Sequence, residues 1–384
     1  MTAVLPGSAD VLIIGGGVIG LSTAHALATA GVERVVLVDS GSFGSGSTCK
    51  AAGGVRAMFS DELNIRLGRR SLEIFERFDE LFDQEIDLHQ VGYLFLLEDP
   101  NDLRAFEEAV ALQNSLGVDS RMIDPVEAVE LSPYVVPDGL LGAAYSPRDG
   151  HCTPESVVLG YSRAARRAGA VLVPRCAVTG AEISDGRIQA VYTEGGTIAT
   201  DTVVCAAGAW SGQVAALFGV DLPVEPLRRQ LVITEKVPEL DPRTPFTIDF
   251  ATSFYFHNEG DGLLIGMSDP DETPGFTLTR GDGWLPGLAD AIEHRAPRLA
   301  EFGISSGWAG LYEMTPDHNG LVGESPDVGR FLYCTGFSGH GFLLGPALGE
   351  VMSDLFHGRR PYVDISGFDV ARFADRLRPE HNII

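Results

Sequence analysis

Residues 11–39 read VLIIGGGVIGLSTAHALATAGVERVVLVD, an apolar strand, then Gly15-x-Gly17-x-x-Gly20, then a helix, then a second apolar strand ending in Asp39. Each part has its own physical task. The glycines let the main chain turn sharply and approach a pyrophosphate, and the helix N-terminus, opening at Val18 and Ile19, offers unpaired N–H groups to it. Asp39, nineteen residues past Gly20 and followed by Ser40, can accept ribose hydroxyls. A glycine-rich turn alone would be weak evidence. Here it follows a strand, opens a helix and has its acid at the expected distance, so the segment predicts a βαβ dinucleotide site.

Composition bounds what surrounds it. The 384 residues, 45% hydrophobic and 21% charged, can bury a large core and make two domains. The opening stretch has no basic n-region, and the apolar run at 11–14 is too short for a signal segment or a membrane span. A cytoplasmic protein is the expectation. Cys49, Cys152, Cys176, Cys205 and Cys334 are scattered without C-x-x-C spacing, which suggests neither a disulfide framework nor a metal site. The formal charge of −25 opposes binding to nucleic acid. Lysine occurs only at Lys50 and Lys236, neither in a setting that suggests a desolvated amine, so Schiff-base chemistry is not expected.

The next distinctive stretch is GSGSTCKAAGGVR, residues 44–56. Such a run lets the main chain lie flat against a large ligand, with Ser47 and Thr48 offering hydroxyls to phosphate. A flexible linker has similar composition, but the apolar residues within it and the helix that follows argue for a second cofactor wall. That helix, expected over 61–82, carries Leu63, Leu67, Ile74, Phe75, Phe78 and Phe82 near helical spacing, a pattern of core packing. A buried strand is expected at 91–98, a helix at 101–116, a turn-rich stretch at 124–149, a helix at 155–168 and a strand at 171–173. A small antiparallel unit is expected over 177–200, and further strands at 230–234, 253–257 and 263–267. TVVCAAGAW, residues 202–210, reads as a buried strand meeting a glycine turn, so the chain returns there to the nucleotide sheet. Near the end, WAGLYEMTPD (308–317) precedes a strand at 331–334, which runs through TGFSGHGF (335–342) into a helix. That second glycine-rich turn presents oriented N–H dipoles suited to negative charge.

Taken together these segments resemble the glutathione-reductase-type flavoproteins of the D-amino-acid oxidase family, over nearly the whole chain. Within the family they look most like the sarcosine oxidases, their β subunits and the β subunits of dye-linked L-proline dehydrogenases, which share GSTxxxxxGVR followed by GYLFLL. The resemblance implies an α/β fold: a Rossmann-type FAD-binding domain (1–85, 148–215 and 325–384) and an α+β substrate domain on a mostly antiparallel sheet (86–147 and 216–324). It implies FAD with its adenosine on the Gly15 loop and the main chain of Val178. The ring would lie beside Ala52, Gly53, Gly54 and the run Gly339, His340, Gly341, Phe342 and Leu343, with Ala207, Gly208, Trp210 and Gly310 also at the cofactor.

By the same resemblance Arg56 holds a substrate carboxylate, which suits the bidentate fork of a guanidinium. Tyr255, Tyr312 and Phe254 are expected as walls over the ring, and His340 as a residue of the flavin loop rather than an acid–base catalyst. Gly310 stands where monomeric sarcosine oxidases carry the cysteine that bonds FAD, so a noncovalent cofactor is expected. Leu343 and Leu264 stand where those oxidases carry lysines, one at the carboxylate and one that promotes reaction with oxygen. The electron acceptor is therefore open between oxygen and a dye-like, quinone or protein acceptor. No second G-x-G-x-x-G appears, which argues against a nicotinamide site. The expected reaction is hydride transfer from the carbon beside nitrogen of an amino acid or N-alkyl amine to flavin N5. Other readings are a non-catalytic electron-transfer or assembly subunit, a D-amino-acid dehydrogenase, or a flavin-dependent hydroxylase. No metal is expected, and a homo- or hetero-oligomer is left open.

Overall fold

The computed structural model describes residues 5–374, 377 and 379–383. The chain ends at 1–4 and 375–384, both assigned above to the cofactor domain, therefore fall partly outside the described residues. The Val11–Ile14 strand lies near the middle of a six-stranded sheet, between Val35–Val38 and Val203–Cys205. Val171–Val173 extends one side, Phe331–Thr335 and Leu321–Glu324 the other, and only the last strand runs antiparallel. Return of the 202–210 segment to this sheet agrees with the sequence.

Strand alternation explains how the sheet is covered on both faces. Val11 and Ile13 pack under the helices Val18–Thr29, Glu62–Phe75, Pro154–Arg167 and Gly341–Phe356, while Leu12 and Ile14 pack against the antiparallel unit Val178–Ser184, Arg187–Thr193 and Gly196–Ala199. The first and last of these helices approach closely because Gly345 has no side chain. There Ser22 Oγ donates to Gly345 O at 2.8 Å, and a Cβ on Gly345 would meet Val18 at 2.7 Å.

The second sheet has eight strands in the order Ile304–Met314, Glu225–Thr234, Gly262–Met267, Phe254–Glu259, Phe246–Asp249, Tyr93–Leu97, Gly142–Ser146, Arg121–Ile123. All pairs are antiparallel except Phe246–Asp249 with Tyr93–Leu97. One face packs on the helix Leu285–Arg295, and the other carries Phe95, Phe246 and Ile248 towards the helix Pro100–Ser115 and the cofactor side.

Three expectations change. The helix foreseen over 61–82 is two helices, Glu62–Phe75 and Phe78–Phe82, because its aromatics serve two partners. Phe75 meets Phe342 at 5.8 Å, whereas Phe78 and Phe82 turn to Tyr161 at 5.3 and 4.7 Å. The turn-rich stretch 124–149 contains a helix, Pro125–Leu131, capped by Asp124, whose side chain accepts from Glu127 N. It also contains the strand Gly142–Ser146, whose small residues carry no strand signature of their own. The helix Leu285–Arg295 and the strand Phe246–Asp249 were not foreseen. Among the described residues no helix is long and apolar enough to cross a membrane, and no group of His, Cys, Asp or Glu is arranged to hold a metal ion.

Candidate active site

The two sheets meet along a cavity of about 710 Å3. At its nucleotide end, Gly15 has φ +111°, and a Cβ there would lie 2.2 Å from Ala206 O. Only glycine lets the turn pass this close to the neighbouring strand. Asp39 is held by loop amides, its two oxygens accepting from Gly16 N and Gly41 N at 2.6 Å each, and it faces the cavity with Ser40. Thr48 Oγ1 accepts from Val18 N at 3.1 Å, and Ser47 Oγ donates to Leu311 O at 2.6 Å. The 44–56 segment is thus a fixed wall rather than a linker. Gly15, Gly17, Val18, Ile19, Ala207, Gly208, Trp210 and Val178 all line this end. Gly20 does not. A Cβ there would sit 1.9 Å from Gly15 O, so it permits close helix–strand packing instead of touching a ligand.

At the other end Gly53 has φ +75°, with Cys152 O at 2.2 Å from a hypothetical Cβ, and Ala52 O lies 2.8 Å from His257 Nε2. Gly54 is pressed against the Tyr93 hydroxyl. Opposite, Gly339, His340, Gly341, Phe342 and Leu343 form the turn and first residues of the final helix. His340 is 2% exposed, and neither ring nitrogen has a partner among the described residues. Burial pushes its pKa down to about 3, so the ring is neutral. A Cβ on Gly310 would lie 2.7 Å from Lys50 Cβ, so a larger side chain there would crowd this wall.

Tyr255, Tyr312 and Arg56 also line the cavity, but Arg56 does not present an open fork. Its Nη1 donates to Met58 O, its Nη2 donates to Asn382 O at 2.6 Å, and its guanidinium stands 4.3 Å from the Phe59 ring and 5.3 Å from that of Phe95. Phe254 is not a wall. It is fully buried on the opposite face with the Leu285–Arg295 helix, because adjacent residues of a strand point to opposite faces and Tyr255 takes the cavity side. Leu264 lies outside this cavity and lines a smaller one beyond Ala51 and Ala52. Among the lining residues not assigned to the site from sequence are Lys50, Tyr93, Phe246 and Arg229. Tyr93 and Phe246 stack at 4.3 Å with planes 8° apart. The strand register that brings Arg229 opposite Gly310 has no local signature.

These residues fit FAD. The glycine turn, the helix N-terminus and Asp39 would hold its nucleotide, and Ala52, Gly53, Gly339 and His340, whose ring nitrogens have no partner among the described residues, line the part of the cavity that would hold its ring.

Behind Arg56 lies Asp149, fully buried, with Oδ1 accepting from Ala57 N at 3.2 Å. Desolvation raises its pKa from 3.8 to about 7. Because the folded state then binds the proton more tightly, the stability it contributes is full below the unfolded pKa and is lost as pH rises through the folded one. The span corresponds to about 4 kcal/mol. We expect Asp149→Asn to remove this dependence on pH. Melting temperatures of the two proteins compared from about pH 8 to about pH 5 should show the parent gaining on the variant as pH falls. A constant difference over that range would contradict the buried-proton account.

Residues 10–355 match the family model described as FAD dependent oxidoreductase. The chain is 31% identical to mitochondrial sarcosine dehydrogenase of Mus musculus over 394 residues, covering 97% of this chain and 42% of that protein. It thus spans less than half the length of the curated relatives it matches first. Among solved structures, L-proline dehydrogenase from P. horikoshii superposes with a TM-score of 0.91 at 32% identity, covering 97% of this chain and all of that one. Glycine oxidase from Geobacillus kaustophilus superposes with a TM-score of 0.84 at 26% identity, covering 96% and 99%. With its glycine cradle, two-sheet cavity and matched length, the chain belongs to the DAO family of FAD-dependent oxidoreductases.

Proposed function

We propose that this chain oxidises the carbon–nitrogen bond of an amino acid or N-alkyl amino acid, of the sarcosine, proline or glycine type, to an imine that water hydrolyses. FAD, held without a covalent bond, supplies the acceptor for the hydride that leaves the carbon beside nitrogen. The observation that carries the reading is continuity: the nucleotide cradle and a chamber walled by Tyr93, Tyr255, Tyr312 and two arginines share one cavity. The names of the similar proteins, sarcosine dehydrogenase, L-proline dehydrogenase and glycine oxidase, point the same way.

The reaction needs a neutral amine, since an ammonium nitrogen has no lone pair to assist departure of hydride. Arg56 and Arg229 make the chamber positive, which disfavours the ammonium form. Burial raises the pKa of Tyr93, Tyr255 and Tyr312, so these phenols stay protonated and act as hydrogen-bond donors and walls. His340, neutral and buried, borders the ring rather than transferring a proton.

Anaerobic addition of sarcosine, proline, glycine and a set of D-amino acids to the purified yellow protein tests the reading. Bleaching of the flavin by at least one of them is the expected result, and reoxidation by oxygen compared with a dye then identifies the acceptor class. No bleaching across the set would favour a subunit that carries electrons or serves assembly. Oxidation of NADPH in the presence of an aromatic substrate would favour a hydroxylase.

A further inference from the structure

We propose that Arg229, rather than Arg56, receives the carboxylate of the substrate, which makes the chamber selective for amines bearing a carboxylate over simple amines. The proposal rests on the amine-oxidation reading and deepens it. Arg229 lies on the Glu225–Thr234 strand, paired with Gly310, on the face that turns to the cavity. Its neighbour Arg228 points the other way and is satisfied, donating to Glu272 at 2.7 Å and to Thr279 O at 2.7 Å. Arg229 has no such partner. Its Nη1 donates only to the adjacent Arg228 O at 3.2 Å, its Nε is buried with no acceptor, and among the described residues no carboxylate pairs with it.

A guanidinium left this way is costly unless something completes it, because a buried donor without an acceptor forfeits its hydration. The Nε–Nη2 edge, the side-on fork that takes a carboxylate with two parallel bonds, is the part left open. Its surroundings suit an anion. The guanidinium carbon lies 5.1 Å from the Tyr312 ring centroid, and Tyr93, Tyr255 and Tyr312 line the same cavity, where a protonated phenol can donate to a second carboxylate oxygen. Arg56 differs in its donors, since its two terminal nitrogens already donate to main-chain carbonyls. In a chain of formal charge −25, a local unpaired cation is also what draws an anionic substrate inwards.

The test uses the flavin-loaded protein and two ligands that cannot be oxidised, pyrrole-2-carboxylate and its neutral amide, titrated against the visible spectrum of the oxidised flavin. In Arg229→Gln the Kd for the carboxylate should rise about 10- to 100-fold while that for the amide stays within about threefold. Arg229→Lys, which keeps the charge but not the fork, should lie between. Equal carboxylate binding by parent and Arg229→Gln, or no spectral response to the carboxylate in the parent, overturns the proposal. Because the titration needs no turnover, it decides on Arg229 even if no amine bleaches the flavin, the outcome that would instead remove the amine-oxidation reading.

Discussion

Gly15→Ala is expected to purify without its yellow colour. The substitution meets two separate obstacles. The backbone there has φ +111°, a region closed to L side chains, and the new Cβ would fall 2.2 Å from Ala206 O, 2.7 Å from Ala206 C and 2.9 Å from Ala207 Cα. All three are main-chain atoms of the turn that leaves the Val203–Cys205 strand, so no side-chain rotation relieves the overlap. Strained backbone costs about 1–3 kcal/mol and overpacking a similar amount, so the combined effect is about 2–6 kcal/mol. It falls on the turn that approaches the pyrophosphate. Flavin content after purification should drop below about one tenth of the parent's, with a lower melting temperature. Gly31→Ala is the control. That glycine also has positive φ, +92°, but nothing lies within 4 Å of its Cβ position, so the expected cost is about 1–2 kcal/mol with flavin retained. A yellow Gly15→Ala with parental flavin content would mean that the turn can be built without glycine, and the cradle argued from it would fall.

The nucleotide half of this molecule is legible from sequence because its signals are local. A strand, three glycines, a helix start and an acid lie within 29 residues, and their chemistry follows from spacing alone. Even so, spacing does not tell a glycine that faces the ligand from one that admits a neighbouring element, which is why Gly20 was assigned to the cofactor and proved to be packing. The chamber is harder to read. Its walls come from strands whose partners lie far away in sequence, and alternation assigns each residue a face only once the register is known. Tyr255 and Phe254 were both proposed as walls, and a shift of one residue separates a cavity residue from a core residue. Arg229 is one of 26 arginines and nothing beside it in the chain distinguishes it, whereas its open fork appears as soon as its partners are counted. The contact between Arg56 and Asn382 spans 326 positions and could not be foreseen.

The largest effect on stability away from the cofactor should come from Arg295, on a helix the sequence reading missed. Its side chain is fully buried, bonded to Glu98, to Asp249 at 3.3 Å, and to Val136 O and Asp138 O at 2.6 and 3.1 Å. These contacts join the Leu285–Arg295 helix to the ends of two central strands and to the 136–138 loop. Replacing it with methionine keeps much of the volume but leaves Asp249, whose side chain is 0% exposed, without its cation. Breaking a buried pair from one side costs about 3–5 kcal/mol, because the remaining charge stays desolvated. For a protein of this size we expect Arg295→Met to lower the melting temperature by about 4–6 °C. The deficit should also depend on pH. Burial already raises the pKa of Asp249, and loss of the guanidinium raises it further, so the folded variant binds that proton more tightly than the unfolded chain does. A group shifted upward contributes stability that is full below its unfolded pKa and lost as pH rises through the folded one, so the deficit should shrink as pH falls from neutral towards about 4. Adding Asp249→Asn to Arg295→Met should recover part of the loss at neutral pH, since the pair interacts directly and its two substitutions do not add. A deficit below about 1 kcal/mol, unchanged by pH and by the second substitution, would mean that the bonds from Arg295 to Val136 O and Asp138 O carry no more than an ordinary surface contact and that Asp249 needs no cation beside it.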